Sequence, residues 1–232
     1  MLGVFNVSSD RKIKAIIFDL DGTLVDSIEV FCRDINKVFS VVGLPLVDRE
    51  TVVKTMQSGK NPWEALVPAE VKDREKIVRR CIELDEKFFP ELYLDAKLLP
   101  EVYETLEKIS KKKIPMGIAT SLWGDPIFKL LEKHGVHRFI KTVVTKPDVS
   151  RNKPAPDMVI ECAKRLGFPP ENCMYVGDSP LDVKAGKAAG MITVAIPTGV
   201  SNMETLKQEK PDFIIEKMGK LTSILKRFGI DF

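Results

Sequence analysis

Residues 13–27 read IKAIIFDLDGTLVDS. Its first half is a short, Ile-rich apolar run without polar alternation, the pattern of a strand buried on both faces. Its second half sets two carboxylates, a glycine and a hydroxyl, Asp19-Leu20-Asp21-Gly22-Thr23, directly after that strand. Comparable runs occur at 114–119 (IPMGIA), 140–145 (IKTVVT), 173–177 (CMYVG) and 191–196 (MITVAI), with a weaker one at 212–215 (DFII). Between them, at 100–111, 126–135, 155–167 and 180–189, apolar residues recur at three- and four-residue spacing, and Gly135, Gly167 and Gly190 stand where helix ends are expected. Strand and helix in alternation predict an α/β fold, a Rossmann-like doubly wound parallel sheet with helices on both faces.

One segment breaks the alternation. Residues 27–95 carry helix patterns at 27–42, 48–58, 63–67 and 70–89 and no convincing strand. An all-helical domain at 27–95 is therefore expected as an insertion into an α/β core made of residues 1–26 and 96–232. The insertion holds eleven basic and thirteen acidic side chains, and the whole chain 36 and 33, a net charge of +3. No basic surface for nucleic acid is expected from that balance. No run of about 18 apolar residues occurs and the N-terminus lacks a signal-peptide core, so no membrane partner and a cytoplasmic location are expected. With two histidines, His134 and His137, Ser-His-Asp triads and HExxH zinc sites are nearly excluded. The four cysteines form no CxxC pair and read as buried thiols.

The chemistry must then rest on carboxylates, hydroxyls and lysine. Each strand-like run is followed by such groups: Asp19 and Asp21, then Thr120-Ser121, then Lys153 in NKPAPD, then Asp178 and Asp182 in GDSPLD. Ligands of open parallel sheets bind outside the carboxyl ends of the strands, so these segments are expected to converge on one site. Four carboxylates crowd together only with a counter-charge, and a hard cation such as Mg²⁺ suits oxygen ligands. A carboxylate beside such an ion can attack phosphorus, while lysine and hydroxyl donors hold the phosphoryl oxygens. The set is coherent for phosphoryl transfer.

DLDGTLVDS at 19–27 resembles the first motif of the haloacid dehalogenase superfamily in its phosphatase branch. Thr120 matches that family's second motif, Lys153 the third, and Gly177-Asp178 with Asp182 the fourth. The resemblance starts at about Ile13, leaves residues 1–12 unexplained and likens the helical insertion to the family's cap domain. It implies that Asp19 is the nucleophile and Asp21 the general acid and base. It further implies that Asp19, Asp178 and the Asp21 backbone carbonyl bind Mg²⁺, that Asp182 supports them, and that Thr120 and Lys153, with Ser121 beside them, bind the phosphoryl group. Specificity is assigned by the same resemblance to the cap, where Lys54, Lys60 and Asn61 are the candidates. The expected function is Mg²⁺-dependent hydrolysis of a small phosphate monoester through an aspartyl-phosphate, most similar to the phosphoglycolate phosphatase group. The expected partner is a small phosphorylated metabolite, and the protein a monomer or homodimer. One alternative is a sugar-phosphate mutase resembling β-phosphoglucomutase, disfavoured because the loop Gln57–Trp63 has Lys60 but no arginine. Another is a catalytically silent binding protein, which would be expected to lack one of Asp19, Asp21, Lys153 or Asp178.

Overall fold

The computed structural model describes residues 11–232. Residues 1–10, which the sequence reading puts at the start of the α/β domain, lie outside the described residues. By internal contacts the chain falls into two units, the chain up to Asp26 with Lys97–Phe232, and Ser27–Ala96. In chain order the elements are β1 (Ala15–Phe18), β2 (Val25–Asp26), α1 (Ile28–Val42), α2 (Arg49–Ser58), α3 (Pro62–Leu66), α4 (Arg74–Tyr93), β3 (Lys97–Leu98), α5 (Val102–Lys111), β4 (Met116–Ala119), α6 (Asp125–Lys133), β5 (Ile140–Val144), α7 (Asp157–Leu166), β6 (Cys173–Gly177), α8 (Pro180–Ala188), β7 (Ile192–Ala195), α9 (Met203–Gln208), β8 (Phe213–Ile214) and α10 (Leu221–Lys226).

Six strands form a parallel sheet in the order β5-β4-β1-β6-β7-β8. The chain starts in the middle and winds first to one side, then to the other, so the strand order switches at β1. All four residues of β1 are fully buried. Ala15 and Ile17 point with Cys173 and Tyr175 of β6 into a layer closed by Met158, Val159, Cys162 and Ala163 of α7. Ile16 and Phe18 alternate to the opposite face, where they are also buried. Cover on both faces is why β1 reads as unbroken apolar sequence. Beside this sheet, β2 and β3 make a two-residue antiparallel ribbon that pairs Asp26 with Lys97. It is too short to leave a periodic signal in the sequence.

Ser27–Ala96 forms its own core, in which Ile35, Val38, Phe39, Val52, Trp63, Val78, Cys81 and Leu84 are buried together. One of its helices differs from the sequence reading at both ends. Residues 70–73 are not helical, and Asp73 adopts φ +53 ahead of α4. At the other end α4 continues through Pro90 to Tyr93. Proline removes one backbone donor and strains the preceding turn. Here Phe89 stacks between Phe31 at 5.3 Å and Tyr93 at 5.1 Å, and the fully buried Tyr93 holds the last turn in place.

This helical core contains a buried acid pair. Asp34 of α1 is 2% exposed and hydrogen-bonds Asp85 of α4, which in turn accepts from the Trp63 indole. Burial and then the Asp85 carboxyl push the Asp34 carboxyl up to about 9, against the pull of Lys37. The folded protein thus holds a proton that the unfolded chain releases near the ordinary value of 3.8. The stability this group supplies is complete below about pH 4 and is lost as pH rises towards about 9. Asp34→Asn keeps a hydrogen-bond donor and removes the titration. The unfolding free energy of the wild type, read from urea titrations, is expected to fall relative to that of Asp34→Asn between pH 5 and 9, by at most about 1.4 kcal/mol per pH unit. Parallel pH profiles of the two proteins would contradict this.

Candidate active site

The sheet register sets the site. Phe18 lies opposite Ile118 of β4 and Val176 of β6, so the chain segments after β1, β4 and β6 emerge side by side at the carboxyl edge. The Asp19 N–H donates to the Val176 carbonyl at 2.8 Å, and the Thr120 N–H to the Val144 carbonyl at 3.0 Å. After Asp19 the chain turns at once, with the N–H groups of Thr23, Leu24 and Val25 all directed to the Leu20 carbonyl. Gly22 adopts φ +80 in this turn, and the Thr198 hydroxyl donates to its carbonyl at 2.6 Å. Asp21 is half-buried on the same turn.

Asp19, Asp178 and Asp182 are 5%, 3% and 2% exposed, and one oxygen of each lies within 4.8 Å of the others. Lys153, from the loop before α7, reaches this group. Its Nζ donates to Asp19 Oδ1 at 2.5 Å, Asp182 Oδ1 at 2.8 Å and Tyr175 Oη at 3.3 Å. The Thr23 hydroxyl approaches Asp19 Oδ2 at 3.5 Å. Asp182 is saturated. Its Oδ1 accepts from Lys153 and Tyr175, and its Oδ2 from the Ser179 N–H and hydroxyl, a capping box at the start of α8. With both oxygens so engaged, Asp182 has little capacity left for a cation, though it stands within the acidic cluster.

The electrostatics follow from that crowding. Burial pushes the Asp19 carboxyl up to about 7, with Asp182 adding to the rise and Lys153 opposing it. Burial, then Asp182 and Asp19, hold the Asp178 carboxyl well above its usual range. Burial also works against ionisation of Asp182, but the Lys153 charge and three side-chain hydrogen bonds outweigh it and leave that group below its usual range. Lys153 stays charged because Asp182 and Asp19 more than offset its burial. Three buried carboxylates thus share one ammonium, and the shortage of positive charge falls on Asp19 and Asp178. A hard cation with oxygen ligands fits that pair.

Glycines hold Asp178 close. The Val200 N–H donates to Asp178 Oδ2 at 2.8 Å, and a Cβ at Gly199 would stand 2.0 Å from that oxygen and 2.6 Å from the Gly22 Cα. Gly199→Ala must displace the carboxylate or the Gly22 turn. It is expected to cost about 1–3 kcal/mol in a urea titration. A change below about 0.3 kcal/mol would show that the loop gives way freely.

Thr120 is buried and its hydroxyl accepts from the Leu122 N–H at 3.2 Å, while Ser121 is exposed. Lys54 is exposed and pairs with Glu50 at 2.7 Å. Asn61 caps α3, its Oδ1 accepting from Trp63 and Glu64, so that oxygen serves the helix end. Lys60 is exposed in the turn between α2 and α3. Sequence reasoning passed over Tyr175, Ser179 and the Thr198-Gly199-Val200 turn. The hydroxyl in the apolar run CMYVG and the S-x-x-D spacing of Ser179 and Asp182 were the available signals.

Comparison with known proteins agrees with this architecture. The profile described as haloacid dehalogenase-like hydrolase matches residues 16–196. A phosphoglycolate phosphatase of Escherichia coli O157:H7 is 28% identical over 246 residues, covering 94% of this chain and 95% of its own. The pyrophosphatase PpaX of Bacillus velezensis is 31% identical over 216 residues, covering 93% and 98%. A crystal structure from Haemophilus somnus, described as a predicted phosphoglycolate phosphatase, superposes with a TM-score of 0.81 at 23% identity, covering 95% of this chain and all of that one.

Proposed function

The chain belongs to the haloacid dehalogenase-like hydrolases, and from that premise we propose that it hydrolyses a small-molecule phosphate monoester through a phosphorylated Asp19. The observation that carries the reading is the Lys153 ammonium lying 2.5 Å from a buried Asp19 carboxylate at the carboxyl edge of the sheet. Relatives named phosphatase and pyrophosphatase at 28% and 31% identity support hydrolysis at phosphorus.

In the first step an Asp19 oxygen forms a bond to phosphorus as the bond to the leaving oxygen breaks. Asp21 donates its proton to that oxygen, and the alcohol departs neutral. In the second step water attacks phosphorus, Asp21 takes its proton, the bond from Asp19 to phosphorus breaks, and inorganic phosphate leaves. Lys153 and Thr120 hold the phosphoryl oxygens, and Asp182 holds Lys153. Asp19, Asp178 and the Asp21 carbonyl would hold Mg²⁺, which, when bound, supplies charge neutralisation between two anionic reactants. Lys54, Lys60 and Asn61 are the specificity candidates in the helical unit. The mutase alternative is disfavoured by the lack of an arginine in the loop Gln57–Trp63.

The test is turnover of an aryl phosphate and of a panel of phosphorylated metabolites, 2-phosphoglycolate and pyrophosphate among them, before and after EDTA. Activity that disappears with EDTA and returns with Mg²⁺ is expected, while Ca²⁺, which takes six to eight ligands at longer distances, restores it poorly. Undiminished turnover after exhaustive EDTA treatment would contradict the metal assignment, and inactivity on every compound would contradict the phosphatase reading.

A further inference from the structure

We propose that Tyr175 is a positioning residue for this reaction, a buried strut that sets Lys153 against Asp19 by acting on Asp182. The inference rests on the phosphatase reading above.

Tyr175 lies on β6, opposite Ile17 of β1 and two residues before the Gly177-Asp178 pair. It is 1% exposed, in a strand whose other side chains are apolar. A hydroxyl in such a place needs a partner to offset the loss of water. It has two. The Tyr175 hydroxyl donates to Asp182 Oδ1 at 2.7 Å and accepts from Lys153 Nζ at 3.3 Å. Asp182 Oδ1 accepts from Lys153 as well, at 2.8 Å. Hydroxyl, carboxylate oxygen and ammonium therefore close a triangle in which each touches the other two.

The geometry of α8 holds that triangle. Asp182 and Gly186 are four residues apart, so they share one face of the helix. A Cβ at Gly186 would stand 3.2 Å from Tyr175 Cδ1 and 2.6 Å from Thr193 Cγ2. The missing side chain lets α8 lie close on the tyrosine ring, and one turn earlier Asp182 meets the hydroxyl of that ring. The tyrosine thus spans two points on one helix face, its ring against the glycine and its hydroxyl against the carboxylate.

The consequence for Lys153 follows from its donor count. An ammonium has three N–H groups, and here they point to Asp19, Asp182 and Tyr175. Two of these partners carry charge and hold Lys153 between them. Tyr175 is the neutral partner and the most distant, so it is the contact that gives way when a phosphoryl oxygen needs a donor. Its lasting effect is on Asp182, whose Oδ1 it holds at 2.7 Å and which in turn holds the ammonium beside Asp19. The tyrosine touches neither substrate nor reacting atoms in this scheme.

Tyr175→Phe removes the hydroxyl and keeps the ring against Gly186. With wild type active on an aryl phosphate, kcat per folded molecule is expected to fall about tenfold and KM to change by less than about threefold, the folded fraction being read from a urea titration of the same sample. Because the tyrosine acts through Asp182, adding Tyr175→Phe to Asp182→Asn is expected to lower kcat by less than about twofold further. A purely structural tyrosine would lower the urea midpoint and leave kcat per folded molecule unchanged. That result, or independent losses that multiply in the double variant, would overturn the inference while leaving the phosphatase reading intact. A wild type inactive on every phosphate offered would overturn both.

Discussion

Asp19→Asn is expected to reduce turnover of every phosphomonoester to background, a loss of at least about 10⁴-fold. Asparagine preserves the volume of the side chain and an oxygen that can accept from Lys153, so the buried contact at 2.5 Å survives in form. What disappears is the anionic oxygen that attacks phosphorus. The fold should not suffer. Burial already presses Asp19 towards its neutral form, up to about 7, and the neutral amide relieves the crowding with Asp182 and Asp178. The expected protein is as stable as wild type, or more so, and inactive. Steady-state kinetics with a urea titration of the same preparation checks both halves. An unfolded variant, or one that retains more than about a hundredth of wild-type turnover, would contradict the role given to Asp19.

Asp21→Asn is expected to cost about 10²–10⁴-fold, because it removes the proton donor of the first step and the base of the second. The loss should depend on the substrate. An aryl oxide leaves without much help, whereas an alkoxide needs its proton, so alkyl phosphates should lose more than aryl phosphates. Asp19 can still attack in this variant, and water attack on the phosphorylated enzyme becomes the slow step. A burst of phenol release equal to the enzyme concentration is therefore expected from an aryl phosphate, followed by slow turnover. Only the Asp21 backbone carbonyl is assigned to the metal, so Mg²⁺ affinity should change by less than about threefold in a calorimetric titration. Equal losses on aryl and alkyl substrates would argue against proton transfer by Asp21.

Much of this was legible in the sequence because burial on both faces writes itself into composition. The run Ala15–Phe18 is apolar at every position, and each position proves fully buried. The same holds for Met174 and Val176 beside it. Groups placed directly after such strands are fixed by the sheet register, so Asp19, Thr120 and Asp178 follow from reading where each strand ends. What escaped had a different physical origin. The ribbon of Val25–Asp26 with Lys97–Leu98 is held by a few backbone bonds, which carry no side-chain period. The last turn of α4 runs on past Pro90 with Tyr93 buried and stacked on Phe89 of the same helix, and Phe89 on Phe31 of α1; local propensity does not register such packing. Tyr175 lies within an apolar run, and the contacts of its hydroxyl with Lys153 and Asp182 leave no periodic signal. The Asn61 oxygen caps α3, a local role that stands beside its candidacy in the cap.

In the proposed reaction the phosphoryl group passes through Asp19. The most direct measurement is mass spectrometry of peptides from acid-quenched protein, taken after mixing Asp21→Asn with an aryl phosphate and Mg²⁺. One phosphoryl group per chain is expected on the peptide that contains Asp19, and none when Asp19→Asn is added to the same variant. A phosphoryl group on any other peptide, or unmodified protein during a burst of phenol release, would contradict it.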